Sequence, residues 1–292
     1  MPSFRHDGAR LQYREFGAGP RPMVLVHGLL FSQRMHEPLA KELAARGNRV
    51  ITLDLLGHGD SERPRDMWRY GMGFFAEQVV GLLDHLELDQ AVVGGTSLGA
   101  NVTLEVASFA PERLRGMLLE MPVLDNALLS SAVFFTPLML ALTFGEPGMR
   151  VLSRATRLVP SGLLPHMGDV VLDTLRQDPA PSAAVIQGLF FGRVAPHRSE
   201  RRTFQAPALV IGHRRDPVHP FSDSGMLADE LPNSRLLQAD SLVELRVAPE
   251  RLTGEIAGFL DDCWRPQSAR RAPRARRRRP EAGGRTAGAQ KA

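Results

Sequence analysis

The stretch Ala91-Val92-Val93-Gly94-Gly95-Thr96-Ser97-Leu98-Gly99 decides how this chain is read. Its apolar start, Ala91 to Gly94, has the character of a strand buried on both faces, and Leu98 to Phe109 continues with helical periodicity. Gly95 and Gly99 bracket Ser97, two residues to either side. Glycines at those points let neighbouring backbones approach closely enough to hold the serine in a strained strand-to-helix turn, with its hydroxyl raised above a sheet. The helix that starts at once contributes unpaired N–H groups and the positive end of its dipole. Gly-x-Ser-x-Gly alone arises easily by chance. Set between this strand and this helix, it points to a nucleophilic serine, with the N–H of Leu98 as a donor to an oxyanion.

Outward from Ser97, short apolar runs alternate with helical patterns, the signature of a mostly parallel central sheet flanked by helices. Leu11 to Phe16 alternates as an early strand, and Met23-Val24-Leu25-Val26 is a continuous run ending in His27-Gly28. Helices are expected at about 35–46 and 74–85, and strands at 49–53 and 116–120. From 123 to 203 the alternation stops; this part is helical in pattern, punctuated by Pro and Gly, and rich in Leu, Met and Phe. Strands at 208–211 and 234–237 and helices at 222–231 and 249–262 then resume it. The expectation is an α/β core of residues 1–122 and 204–264, a helical cap insertion of 123–203, and a tail of 265–292.

Charge separates the tail from the rest. The chain as a whole is +4, but residues 265–292 hold ten Arg or Lys against Glu281, so the tail carries +9 and residues 1–264 carry −5. Arg-rich and nearly free of apolar side chains, the tail is expected to be disordered and to touch anionic surfaces weakly through charge. No basic face is left on the fold to suggest a specific nucleic-acid partner. The single cysteine, Cys263, excludes an internal disulfide and fits a reducing, cytoplasmic setting. The N-terminal residues lack the apolar run of a signal peptide. The stretch Asn126 to Phe144 is interrupted by Ser130, Ser131, Thr136, Pro137 and Thr143. It reads as helix lining a cavity, and the chain as something other than an integral membrane protein. Without metal-ligand spacing, a phosphate-binding loop or a dinucleotide fingerprint, neither metal nor cofactor is expected.

Four segments stand in a recognisable order: His27-Gly28-Leu29, Asp54-Leu55-Leu56-Gly57-His58-Gly59-Asp60-Ser61, the Ser97 turn, and Asp216-Pro217-Val218-His219-Pro220. Together, over residues 3–264, they resemble the α/β-hydrolase family, in its branch of serine esterases and lactonases with a helical cap. The resemblance implies an α/β-hydrolase fold with Ser97 as nucleophile. It also implies a second oxyanion donor at the N–H of Leu29 and an orienting acid at Asp216, with Glu120 as the alternative acid. His27 and His58 are then scaffold residues. The family's general base is a histidine about seven residues before the Pro-Glu that opens the last helix. Pro249-Glu250 is present, but the counted position falls at Ser241-Leu242-Val243, and all nine histidines precede it.

Three readings stand. His219, three residues beyond Asp216, serves from the neighbouring loop; or His166 or His197 reaches down from the cap; or no histidine serves. In the last case the chain is either a hydrolase with an impaired base, since oxyanion hole and binding alone leave roughly 10³–10⁴ over water, or a non-catalytic ligand-binding protein on the same fold. Asp240 and Glu244 lie near the vacant position, but an ordinary carboxylate, with a pKa near ~4, is a poor base for a serine hydroxyl. The candidate catalytic set is thus Ser97, Asp216 and His219. Phe134, Phe135 and Phe190 are expected to roof Ser97 and receive the acyl or apolar part of a small-molecule substrate. The activity expected is hydrolysis of an ester, lactone or thioester.

Overall fold

The computed structural model describes residues 1–265; residues 266–292, on which the expectation of a disordered tail falls, lie outside the described residues. Eight strands form one sheet in the order β1-β2-β4-β3-β5-β6-β7-β8. Their ranges are β1 (Ser3–His6), β2 (Ala9–Phe16), β3 (Pro22–Val26), β4 (Arg49–Asp54), β5 (Ala91–Thr96), β6 (Leu114–Glu120), β7 (Ala208–His213) and β8 (Ser234–Ala239). The β1–β2 and β2–β4 pairs are antiparallel and every other pair is parallel. This is the α/β-hydrolase architecture.

Side-chain alternation along the strands sends alternate residues to opposite faces of the sheet, and each face has its own core. One core joins Val24, Val26, Ile51, Val93 and Met117 to α2 (Met72–His85), α3 (Leu98–Phe109) and α9 (Phe221–Glu230). The other joins Met23, Leu25, Val50, Val92 and Leu209 to α1 (Glu37–Ala45) and α11 (Glu250–Trp264). Because β3 and β5 are covered on both faces, all their residues are buried. That double burial is why they appear in sequence as unbroken apolar runs.

One strand was not expected, and one expected helix starts differently. The first strand, β1, joins β2 through Asp7-Gly8, both at positive φ (45° and 74°), a two-residue hairpin that an Asp-Gly pair favours. The expected helix at 35–46 opens as a single 3₁₀ turn over Gln33–His36 and becomes α-helical only at Glu37, where Pro38 occupies the first turn.

Between β6 and β7 the alternation gives way to α4 (Ala127–Phe144), α5 (Glu146–Thr156), α6 (His166–Leu175), α7 (Pro179–Phe191) and α8 (Arg198–Arg201). Two buried polar side chains tie this layer to the sheet. Asn101 on α3 donates to the carbonyls of Val123 and Val194 (2.8 and 2.7 Å) and accepts from the N–H of Val123 (3.0 Å), pinning both ends of the insertion. Asp223 on α9 accepts from the N–H groups of Leu124, Asn126 and Ala127 at 2.8 to 3.1 Å. A carboxylate from a distant helix thereby caps the start of α4, whose own N-cap residue makes no side-chain cap bond. A short helix, α10 (Glu244–Val247), precedes α11.

Candidate active site

Ser97 stands between β5 and α3 with φ 54° and ψ −107°, a conformation costly for a residue with a Cβ. Close packing enforces it: a Cβ at Gly95 or at Gly99 would collide with the carbonyl oxygen of Val26 on β3. The turn is therefore pressed against the neighbouring strand, and Ser97 is lifted clear at the C-terminal end of the sheet. Its own N–H is bonded to the carbonyl of Glu120 (2.8 Å).

His219 Nε2 lies 2.8 Å from Ser97 Oγ. His219 Nδ1 lies 2.8 Å from Asp216 Oδ2, while Asp216 Oδ1 accepts from the N–H groups of Val218 (2.8 Å) and His219 (2.9 Å). The carboxylate and the imidazole thus come from one four-residue turn, stiffened by Pro217 and closed by the aspartate's own side chain. Burial opposes ionisation of Asp216, but the hydrogen bond and charge of His219, with the two backbone donors, outweigh it and hold the carboxyl below its ordinary range. An ionised carboxylate only accepts, so Nδ1 carries the proton and Nε2 is left to accept from the serine hydroxyl.

The cap histidines are engaged elsewhere. His166 Nε2 is 2.8 Å from the carbonyl of Arg34, and the His197 side chain accepts from the N–H of Ser199 at the start of α8. His27 and His58 are fully buried, with ring centroids 4.6 Å apart and planes tilted by 43°. His27 accepts from the N–H of Leu55 (3.1 Å), and its Nδ1 is left to donate to the carbonyl of Gly28 (2.9 Å). Burial pushes His27 down to about 4 and holds His58 well below the ordinary histidine value, so both are neutral braces of the loops beside Ser97. The N–H groups of Leu29 and Leu98 face no protein acceptor among the described residues, and both residues line the cavity that contains Ser97.

The vacant histidine position is filled by a different arrangement. Leu242 and Val243 are exposed, while Arg246 on α10 donates to Thr96 Oγ1 (2.9 Å) and Glu120 Oε2 (2.8 Å). Thr96 bonds Glu120 as well, and His213 Nε2 stands 3.5 Å from the other carboxylate oxygen. Burial raises the Glu120 carboxyl, but Arg246, His213 and Thr96 more than reverse this and hold it far below the carboxylate range. Glu120 is committed to this cluster and makes no bond to His219. Glu244 is bound to Arg251 and to the N–H of Asp240.

The cavity over Ser97 has a volume of about 230 Å³. Leu29, Met72, Leu98, Val123, Leu128, Ala132, Phe135, Ile186, Leu189, Phe190 and Val194 give it an apolar wall, and Ser97, Asn101 and Ser131 are its polar members. Phe135 and Phe190 belong to this wall. Phe134 does not: it is 58% exposed and borders an outer depression with Leu129, Val133, Pro217 and Pro220. On a helix, Phe134 and Phe135 point about 100° apart, so only one of the two can face inward. Met72, Ile186 and Leu189 escaped sequence reading because ordinary core residues have the same apolar character.

A strained serine at a strand–helix junction of an α/β sheet is thus bonded to an imidazole that is bonded in turn to a carboxylate. A family model described as alpha/beta hydrolase fold matches residues 21–242, and the chain belongs to that family. Among curated relatives, a 2-hydroxymuconate semialdehyde hydrolase of Pseudomonas sp. strain CF600 is 36% identical over 115 residues, covering 38% of this chain and 40% of that protein. The dihydrolipoyllysine-residue acetyltransferase component of an acetoin cleaving system from Pseudomonas putida is 39% identical over 118 residues, covering 38% of this chain and 29% of that protein. The alignments thus take in well under half of these relatives' lengths. An uncharacterized hydrolase of Bacillus subtilis, YugF, aligns across 88% of this chain and 96% of its own length at 26% identity. An enol-lactonase structure from Burkholderia xenovorans LB400 superposes with a TM-score of 0.71 over 89% of this chain and 100% of its own, at 23% identity, a likeness of fold.

Proposed function

We propose that the protein is a serine hydrolase that cleaves an ester, lactone or thioester of a small substrate with an apolar acyl part, using His219 as its general base. The observation that carries this reading is the pair of 2.8 Å contacts linking Ser97, His219 and Asp216. His219 Nε2 takes the proton as Ser97 Oγ attacks the carbonyl carbon, and Asp216 stabilises the imidazolium that results. The N–H groups of Leu29 and Leu98 receive the oxyanion, a contribution of about 3 kcal/mol per donor in comparable sites. His219 then returns its proton to the leaving oxygen or sulfur. A water deprotonated by the same imidazole releases the acyl group from Ser97. The acyl part occupies the apolar wall formed by Phe135, Phe190 and their neighbours.

The ligand-binding alternative rested on the missing base, and the short Ser97–His219 contact argues against it. The test is reaction of the purified full chain with a fluorophosphonate and with short-chain aryl esters, alongside Ser97→Ala and His219→Ala. Labelling and turnover abolished in Ser97→Ala, with turnover lost in His219→Ala, support the proposal. A wild-type protein inert to both reagents overturns it.

A further inference from the structure

Helix α4 is 18 residues long with mean hydropathy 1.9 and no charged residue, yet only 11% of it is buried. One face, bearing Leu128, Ala132 and Phe135, forms part of the cavity over Ser97. A second stripe, at helical spacings of four and seven residues, carries Leu129, Val133, Leu140 and Phe144, exposed by 76, 68, 46 and 80%. A helix in the wall of a soluble site has a reason to be apolar on its inner side only. The outer stripe lacks that reason.

The surrounding surface repeats the pattern. Fifteen of the 23 strongly exposed large apolar side chains among the described residues fall within 123–203. Charge is polarised in the same direction. Residues 123–203 hold eight arginines and six acids, a net +2, whereas residues 1–122 with 204–264 sum to −7. Arg150 and Arg154 are exposed on α5, which packs against α4, and Arg157 is exposed just past its end; Arg150 also pairs with Glu146. The sequence adds a further +9 in residues 265–292.

From this we infer that the outer face of α4 docks on an anionic lipid surface, lying in the headgroup–acyl boundary with arginines at its rim. Apolar insertion and attraction to anionic lipid reinforce one another in such a peripheral mode. A second copy of the chain is the less suitable occupant, because it would bring two net-positive insertions together. The outer face also borders the Asp216–His219 turn: Leu129 and Val133 share a depression with Pro217 and Pro220, which flank His219, and Ser130 Oγ donates to the carbonyl of Val218 (2.9 Å). Docking would therefore bring the Ser97 cavity beside the lipid. The inference concerns binding alone and does not rest on the hydrolase reading.

The test is flotation of the full chain with phosphatidylcholine vesicles, with and without phosphatidylglycerol, at low and high salt. The wild type is compared with Leu129→Ser/Val133→Ser/Phe144→Ser and, separately, with Arg150→Gln/Arg154→Gln/Arg157→Gln. The expected result is binding to phosphatidylglycerol vesicles that persists in part at high salt. It should fall more than about tenfold in the apolar triple variant, given the transfer free energy of three exposed apolar side chains. The arginine variant should lose binding at low salt chiefly. Light scattering and thermal unfolding of each variant report oligomeric state and folding. Three outcomes overturn the inference: wild type that stays with neither vesicle; a folded apolar variant that binds like wild type, which assigns binding to the tail; or a wild-type dimer that the apolar substitutions dissociate, which makes the face a subunit interface. Should the apolar variant fail to fold, the arginine variant decides: unchanged low-salt binding overturns the anionic docking mode.

Discussion

Replacing His219 with alanine is the sharpest test of the site. The imidazole is bonded to Ser97 Oγ on one side and to Asp216 on the other, each at 2.8 Å, and it does not pin any other element. No second imidazole stands ready to replace it. His27 and His58 are buried and held neutral, His166 is bonded to Arg34, His197 caps α8, and His213 faces Glu120 and Ser241. The loss should therefore approach that of a triad without rescue, on the order of 10⁴–10⁶ in kcat, or about 5–8 kcal/mol of transition-state stabilisation. A floor should remain, because the oxyanion donors and the apolar wall still act, worth roughly 10³–10⁴ over water in such sites. Ser97→Ala combined with His219→Ala should fall no further than the worse single variant, since the two groups act as a unit. Steady-state kinetics on short-chain aryl esters, with thermal unfolding to verify folding, supplies the readout. If His219→Ala keeps kcat within tenfold of wild type, or changes KM alone, the assignment of the base is wrong.

Other consequences follow from the same geometry. Asp223→Ala leaves the N–H groups of Leu124, Asn126 and Ala127 without their acceptor; it should cost about 2–4 kcal/mol and lower Tm by roughly 5–10 °C, with Asp223→Asn retaining part of the loss. Phe135→Ala removes an aromatic wall of the cavity and should move acyl preference toward longer or bulkier groups by roughly tenfold in relative kcat/KM, measured across an ester series. Acid should destabilise the fold well above the carboxylate range. Burial lowers His27 to about 4 and His36 to about 3, so their contribution is fully present above the unfolded histidine pKa and is lost as pH falls below it. From ~6.5 to pH ~5 the two should together cost about 3 kcal/mol, and His58 acts in the same direction. Asp54, raised by burial to about 6, takes up a proton in the native state and returns about 1.4 kcal/mol over the same range. Urea denaturation should therefore show stability falling between pH ~6.5 and ~5; a flat profile there would show that these histidines are not buried as neutral bases.

Much of this arrangement was legible in the amino-acid sequence. Strands covered on both faces must be apolar throughout, so β3 and β5 announced themselves. The glycines around Ser97 are required by the close approach of Val26, a constraint that leaves a mark at fixed positions. Asp216 and His219 are three residues apart, and a turn closed by the aspartate's side chain is local chemistry. For that reason the sequence could offer His219 as a base even with the usual position empty. What the sequence could not do was choose between His219 and the cap histidines. That choice depends on which imidazole the fold carries to within 2.8 Å of Ser97, and His219 is 122 positions further along the chain. Tertiary structure alone decided that Arg246 and Glu120 fill the end of the sheet where a histidine was expected, and that Asp223 caps α4 from far along the chain. It also decided that Phe135 faces inward while Phe134 faces out. Periodicity reports that a helix is apolar; only the packing of its neighbours says which of its sides is covered.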